Sequence, residues 1–152
     1  MPHAVGCPRS EYLCPMSLVK FPSLKRTRLM IASPDRFFRS MVGEILSAYG
    51  YVHQVSAETV KSVLDNARRY HTDFILVDED IAFLTPFELV RMLRGDTDLN
   101  SVPQLVLLAA RPTRVLIDEA RSAGFNAVIT KPVIPLRLVG VIEQLQNVRS
   151  AA

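Results

Sequence analysis

The stretch FILVDED, residues 74 to 80, places four apolar residues directly before three carboxylates. A short, uninterrupted apolar run indicates a strand that is buried on both faces, as in the interior of a parallel sheet. Adjacent carboxylates repel one another and lose hydration when they are covered. The stretch is therefore either a solvated turn after a strand or a site that holds a carboxylate at the edge of a sheet.

The chain around this stretch repeats one pattern, an apolar strand followed by an amphipathic helix. Strands are predicted at residues 29–32, 52–55, 74–77, 105–109 and 127–129, and apolar residues at three-to-four spacing follow each of them. In the first helix this spacing predicts a broad buried face, formed by Phe37, Phe38, Met41, Val42, Ile45, Leu46 and Tyr49.

The predicted helix ends carry recognisable capping residues. Ser33-Pro34 would cap the first helix and place proline at its first position, and Thr85 to Glu88 has the pattern of a capping box. Gly50, Gly95 and Gly124 lie where helices should end in a left-handed residue.

Fully apolar strands that alternate with helices predict an α/β fold of the doubly wound (βα)5 type, with a five-stranded parallel sheet covered on both faces. We assign this domain to residues 28–148, a flexible basic extension to residues 1–27 and a short tail to residues 149–152. In such sheets sites form at the carboxyl ends of the strands. Asp78 and Lys131, which end the third and fifth strands, should therefore converge.

Charge and hydropathy exclude several classes of function. Residues 1 to 28 carry a net charge of +4 out of the total of +3, which leaves −1 for the rest and no basic surplus for nucleic acid. No apolar run approaches the ~20 residues of a membrane helix, and the start lacks the pattern of a secretory signal. We therefore expect a cytoplasmic protein that binds neither nucleic acid nor membrane.

The edge of the predicted sheet resembles that of the receiver domain of bacterial two-component response regulators, a CheY-like, flavodoxin-like fold. The resemblance covers residues 28–148. It is most specific in FILVDED, where Asp78 matches the phosphoaccepting aspartate, and in GFNAVITKPV, residues 124–133, where Lys131 matches the lysine that contacts the phosphoryl oxygens. It implies phosphorylation of Asp78 by a histidine kinase or phosphotransferase.

In this family the phosphoacceptor site also holds Mg²⁺. The resemblance implies metal ligands at the carboxylate of Asp78 and the backbone carbonyl of Asp80. Asp35 matches a further acidic position of the family, although a carboxylate there also suits the start of a helix. The resemblance thus implies a Mg²⁺ cofactor.

Several family positions have changed in this sequence. The acidic pair that binds the metal falls on Ser33 and Pro34, the switch hydroxyl falls on Leu108, and the switch aromatic falls on Val128. Residues 82 and 83 replace a proline and a glycine of the family. Because hard cations depend on charged oxygen ligands, we expect weakened Mg²⁺ binding.

Two alternative functions remain open at this stage. The first is a pseudo-receiver, an interaction module that does not depend on phosphorylation. The second, less favoured, is a phosphatase of the haloacid dehalogenase type with Asp78 as nucleophile and Asp80 as general acid; this motif expects Thr or Val at position 82, which is Ala. We expect a protein without enzymatic activity.

The fifth helix has more apolar residues than one buried stripe requires, namely Val133, Ile134, Leu136, Val139, Val141 and Ile142. An exposed apolar surface there would suit a downstream protein target or a homodimer through the fourth and fifth helices. The alternative is that this helix packs deeply against the sheet.

Overall fold

Every predicted strand forms, and a helix follows each one, in the part of the chain that the computed structural model describes, residues 24–81, 85–99 and 102–151. The predicted α/β class with five strand–helix units is confirmed. In chain order the elements are β1 (Arg28–Ala32), α1 (Arg36–Ala48), β2 (His53–Ala57), α2 (Val60–Arg69), β3 (Phe74–Asp78), α3 (Pro86–Arg94), β4 (Gln104–Ala109), α4 (Arg114–Ala123), β5 (Ala127–Thr130) and α5 (Pro135–Ala151).

The five strands are parallel and lie in the order β2-β1-β3-β4-β5. The strand order reverses at β1, because β2 lies on one side of it and β3 on the other. The carboxyl ends of β1 and β3 are therefore neighbours, and a crevice at such a switch point is where open α/β sheets place their sites.

Alternating side chains of each central strand enter two separate cores, one on each face of the sheet. The first core lies under α2, α3 and α4 and includes Met30, Ile75, Val77, Leu105 and Leu107. The second lies under α1 and α5 and includes Leu29, Ile31, Phe74, Leu76, Val106 and Leu108. All five residues of β3 are buried, which accounts for its uninterrupted apolar run.

The start of α1 differs from the sequence-based expectation. Asp35, not Ser33, caps the helix by accepting from the backbone N–H groups of Phe37 and Phe38, so Pro34 precedes the helix. Ser33 does not cap the helix because its hydroxyl group is buried and bonded to another residue. Phe37 is 85% exposed and Met41 is also exposed, because the stripe that faces the sheet runs through residues 39, 42 and 46.

Other helix ends follow the prediction more closely. Thr85 and Glu88 form the predicted capping box, with Pro86 in the first turn of α3. Gly50 and Gly124 have positive φ, but Gly95 has φ −87° and ends α3 in a right-handed conformation. The N–H of Gly95 donates to the carbonyl of Arg91, which continues the helical turn and requires no left-handed residue.

Both described ends of the chain lie at the amino-terminal end of the sheet. The N–H of Lys25 donates to the carbonyl of Gly50 over 2.8 Å, and the side chain of Gln146 donates to the hydroxyl of Thr27. Residues 24–27, assigned to the flexible extension, thus contact the domain, while residues 1–23 lie outside the described residues. Helix α5 continues to Ala151, three residues past the predicted end of the domain.

No helix among the described residues has the length and hydropathy that a membrane span requires.

Tyr51 is completely buried in the core under α1 and α5, and within the described residues its hydroxyl group has no hydrogen-bond partner. Burial, and secondarily the charge of Glu143, raise the pKa of this phenol above its usual range. An unsatisfied buried hydroxyl destabilises the folded state by about 1–3 kcal/mol.

We therefore expect Tyr51→Phe to raise the free energy of unfolding by about 1 kcal/mol, because the ring stays and only the unpaired hydroxyl is removed. Urea denaturation would show this as a higher midpoint at an unchanged slope. Tyr49→Phe, in the half-buried ring next to this core, is the matched control and should change the midpoint little. A lower midpoint for Tyr51→Phe would contradict the prediction.

Asp96 joins the end of α2 to the turn after α3. One carboxylate oxygen accepts from the backbone N–H of Asp98 at 2.9 Å, and the other accepts from Nε of Arg68 at 2.7 Å. The hydrogen bond from the Asp98 N–H, and secondarily the one from Arg68, lower the pKa of Asp96. The hydrogen bond to Asp96 in turn raises the pKa of Arg68.

Because its pKa is lower in the folded than in the unfolded chain, the Asp96 carboxylate stabilises the fold above its unfolded pKa of about 3.9 and loses that effect as the pH falls through its folded pKa. We expect Asp96→Asn to lower the urea midpoint near neutral pH and the difference from wild type to shrink below about pH 4. Asp98→Asn keeps the backbone donor and should show almost no such difference. A difference independent of pH would contradict the assignment.

Candidate functional site

Three chain segments meet at the carboxyl end of the sheet. Ser33 follows β1, Asp78 is the last residue of β3, and Lys131 follows β5. The predicted convergence of Asp78 and Lys131 is observed: the ammonium Nζ of Lys131 lies 2.5 Å from Oδ1 of Asp78. Parallel strands produce this meeting because their ends lie along the same edge of the sheet.

The Asp78 carboxylate is almost fully buried, at 2% exposure, and both of its oxygens are occupied. Oδ2 accepts from the Ser33 hydroxyl at 2.7 Å, while Oδ1 accepts from Lys131 and from the backbone N–H of Asp80 at 3.0 Å. A buried charge is tolerated when it is both paired and hydrogen-bonded. The first carboxylate of FILVDED, that of Asp78, is thus fixed by hydrogen bonds and is not solvated.

Ser33 is buried and uses every one of its polar atoms. Its N–H donates to the carbonyl of Ala57, its carbonyl accepts from Arg39, and its hydroxyl oxygen donates to Asp78 and accepts from the N–H of Asp35. Sequence reasoning treated Ser33 only as a lost metal ligand and a helix cap. Its role as a partner of Asp78 was missed, although its place at the end of the strand beside β3 was a usable signal.

Lys131 reaches the site from β5, whose backbone fixes its position. Its N–H donates to the carbonyl of Ala109 at 2.8 Å, and its peptide bond to Pro132 is cis. The ammonium lies 4.8 Å from the centre of the Phe38 ring, in the geometry of a cation–π contact, and 3.6 Å from a carboxylate oxygen of Asp80. The cation is therefore surrounded by groups that favour its charge.

Arg39 is a second buried cation near this edge, and the sequence analysis did not select it. Its guanidinium donates to the carbonyl of Ser33 at 2.6 Å and pairs with Glu58 at 2.9 Å. The available signal was its position: Arg39 lies three residues before Val42 and seven before Leu46, on the buried stripe of α1. A charge on such a stripe needs partners inside the protein.

In the part of the chain that the structure describes, neither Asp35 nor position 34 adds a carboxylate to Asp78. Asp35 uses its carboxylate to cap α1, as the helix-start interpretation predicted, and Pro34 is exposed and has no side-chain oxygen. At Asp80 the resemblance assigns the backbone carbonyl as a ligand and not the side chain, which is 76% exposed. Among the described residues, no three His, Cys, Asp or Glu side chains are grouped so as to bind a metal. The residues present therefore do not fit the Mg²⁺ that the resemblance implies, since hard cations need several oxygen ligands.

The two altered switch positions are apolar and contribute to the cores. Leu108 is fully buried in the core under α1 and α5, and Val128 packs half-buried against the opposite core. Glu79 lies close to this region: its carboxylate accepts from the N–H of Ala110, and its own N–H donates to the carbonyl of Leu108. The altered loop positions 82 and 83 lie outside the described residues.

The apolar residues of the last helix and its preceding loop divide into two groups. Ile134 and Leu136 are 57% and 73% exposed. The other four, Val133, Val139, Val141 and Ile142, are buried or packed against the core under α1 and α5. Most of the surplus therefore packs inward.

Response regulators are similar to this chain in sequence. The polar-differentiation response regulator DivK of Brucella ovis is 24% identical over 115 residues, which cover 76% of this chain and 92% of DivK. The chemotaxis protein CheY of Pseudomonas aeruginosa is 25% identical over 118 residues, covering 78% and 94% of the two chains.

Solved structures share the fold. The chemotaxis protein CheY4 of Vibrio cholerae superposes with a TM-score of 0.71 at 20% identity, covering 79% of this chain and 98% of that one. A CheY-like receiver domain from Methanospirillum hungatei gives a TM-score of 0.70 at 20% identity, covering 85% and 98%. The sequence model of the response regulator receiver domain family matches residues 29–143 of this chain. The chain thus belongs to the response regulator receiver domain family.

Proposed function

We propose that this receiver domain is a two-component signalling protein with Asp78 as its phosphoacceptor, Lys131 as the contact for the phosphoryl oxygens, and protein–protein contact as its output. The contact of 2.5 Å between the Lys131 ammonium and the Asp78 carboxylate carries the proposal. It places a nucleophilic carboxylate beside a fixed positive charge at the sheet edge, which is the arrangement that acyl phosphate formation requires.

The donor would be a phosphohistidine of a histidine kinase or phosphotransferase. A carboxylate oxygen of Asp78 forms the new P–O bond while the P–N bond breaks, and the electron pair of that bond stays on the imidazole nitrogen. A proton already on the other ring nitrogen of the donor makes the leaving group a neutral imidazole. Lys131 neutralises the charge on the transferred group. Because Lys131 is more exposed than Asp78 or Ser33, we propose that the phosphoryl group enters from the Lys131 side.

Glu79 offers a route from this site to the rest of the domain. Its carboxylate accepts from the N–H of Ala110 in the loop between β4 and α4, whereas Leu108 and Ala109 provide no hydroxyl group there. Phosphorylation of Asp78 would replace its one carboxylate charge with up to two phosphoryl charges, a net gain of about one negative charge near Glu79. We propose that repulsion of the Glu79 carboxylate then releases this loop and changes the surface of α4.

The partners follow from the same proposal. The phosphodonor would be cytoplasmic, and the output would be a downstream protein or a second copy of the chain that docks on α4 and α5. Val115 on α4, Ile134 before α5 and Leu136 on α5 are exposed apolar residues that such a partner would cover.

A second candidate, a pseudo-receiver that signals without phosphorylation, is favoured by one observation. The Ser33 hydroxyl, the Lys131 ammonium and the Asp80 N–H already satisfy both oxygens of Asp78. A carboxylate in this state has a purely structural use, as the centre that joins the strand ends. The phosphatase interpretation gains no comparable support, because the exposed Asp80 side chain approaches Lys131 and only its backbone N–H bonds to Asp78.

Phosphorylation distinguishes the two candidates. We expect purified protein to gain the mass of one phosphoryl group in acetyl phosphate, as measured by intact mass spectrometry, and Asp78→Asn to gain none. Asp80→Asn is the matched control two residues away, and it should gain the same mass as wild type. A gain that persists in Asp78→Asn would move the acceptor elsewhere. Absence of any gain, with acetyl phosphate and with a panel of histidine kinases, would favour the pseudo-receiver.

The proposed output route predicts the behaviour of one amide group. We expect Glu79→Ala to accelerate hydrogen exchange at the Ala110 N–H about tenfold, as the loss of a hydrogen bond worth about 1.4 kcal/mol would do. Glu79→Gln keeps an acceptor oxygen and should have a smaller effect. Residue-resolved exchange by NMR measures both. Equal protection of Ala110 in wild type and Glu79→Ala would exclude this route.

A further inference from the structure

We infer that the Asp78 site contains its compensating charge within the chain and binds no divalent cation. This inference rests on the proposed function of Asp78 as phosphoacceptor. It adds that the charge at the site is compensated by side chains of the protein itself, so that the site does not depend on the supply of Mg²⁺.

The Asp78 carboxylate already has a cationic partner within the chain. The carboxylate of Asp78 pairs with the Lys131 ammonium, and the guanidinium of Arg39, next along the edge, pairs with Glu58. A divalent cation on Asp78 would add two positive charges beside the Lys131 ammonium. The carboxylate of Asp80 also approaches this ammonium, but it lies largely in solvent. Like charges at such distances oppose binding.

The oxygens that a cation would need are also in use. Both oxygens of Asp78 accept hydrogen bonds from Ser33, Lys131 and Asp80, and the carbonyl of Ser33 accepts from Arg39. A cation would have to compete with the Ser33 hydroxyl at Oδ2 or with the Lys131 ammonium at Oδ1. Mg²⁺ sites usually hold the ion through one or two carboxylates and several waters.

The substitutions at positions 33 and 34 form a consistent set. An acidic pair at these positions would carry two negative charges, and a bound divalent cation would cancel them. Ser33 and Pro34 remove both charges, so loss of the cation leaves the local net charge unchanged. The neutral hydroxyl of Ser33 can then approach the Asp78 carboxylate to 2.7 Å. A carboxylate at position 33 would instead be repelled by Asp78.

Paramagnetic broadening by Mn²⁺ tests the inference directly, because Mn²⁺ accepts the same oxygen ligands as Mg²⁺. In the ¹⁵N-labelled full chain, we expect the amides of Ser33, Asp80 and Lys131 to broaden no more than that of Arg68 at stoichiometric Mn²⁺. Selective broadening of the first three amides would overturn the inference.

Two variants should create the missing affinity. Ser33→Asp combined with Pro34→Asp restores an acidic pair, and Lys131→Ala removes the competing ammonium; we expect each to gain selective broadening around Asp78 and a rise in Tm with Mg²⁺. Lys131→Ala provides a separate test where the double variant does not fold. Folded variants without selective broadening and without a rise in Tm would show that these residues are not the reason why the site lacks affinity for a divalent cation.

Phosphorylation in acetyl phosphate, with EDTA or with Mg²⁺, separates this inference from the proposed function. Equal mass gain in both conditions supports both. A gain with Mg²⁺ alone overturns the inference and leaves Asp78 as phosphoacceptor. No gain in either condition or with the panel of histidine kinases, together with Mn²⁺ spectra that show no selective broadening, supports the inference and contradicts the phosphoacceptor proposal.

Discussion

A carboxylate that is almost fully buried at the end of the central strand has to be neutralised, and the Asp78–Lys131 ion pair does this. The two residues are 53 positions apart in sequence, so the pair forms only when β3, β4 and β5 are correctly aligned. Removing one partner of a buried pair leaves an uncompensated charge and costs about 3–5 kcal/mol. The same ion pair therefore depends on the alignment of the sheet and fixes the geometry of the site.

The surrounding hydrogen bonds extend this requirement across the sheet edge. Ser33 connects Asp78 to the end of β1, and Arg39 connects the backbone of Ser33 to Glu58 after β2. The chain thus joins all five of its strand ends by polar contacts, because the N–H of Lys131 also donates to the carbonyl of Ala109 at the end of β4. Such a network is stable only when each member is satisfied, because an unpaired polar group in a medium of low dielectric constant is costly.

The sequence was sufficient to predict the five strand–helix units, the parallel sheet, and the meeting of Asp78 with Lys131. These features depend on hydropathy periodicity and on the rule that parallel strands end on one side. The partners of Ser33, Arg39 and Glu79 were not predictable in the same way. A short polar side chain can bond to its own helix or to a distant strand, and the choice depends on distances that only the folded chain defines.

The position of the two described chain ends has a practical consequence. Lys25 and Thr27 contact Gly50 and Gln146 at the amino-terminal end of the sheet, opposite to Asp78. A fluorescent protein or affinity tag joined directly to residue 24 or after residue 151 would thus leave the domain on the side remote from Asp78. A domain labelled at these positions can therefore be immobilised on a surface while the carboxyl edge of the sheet stays accessible.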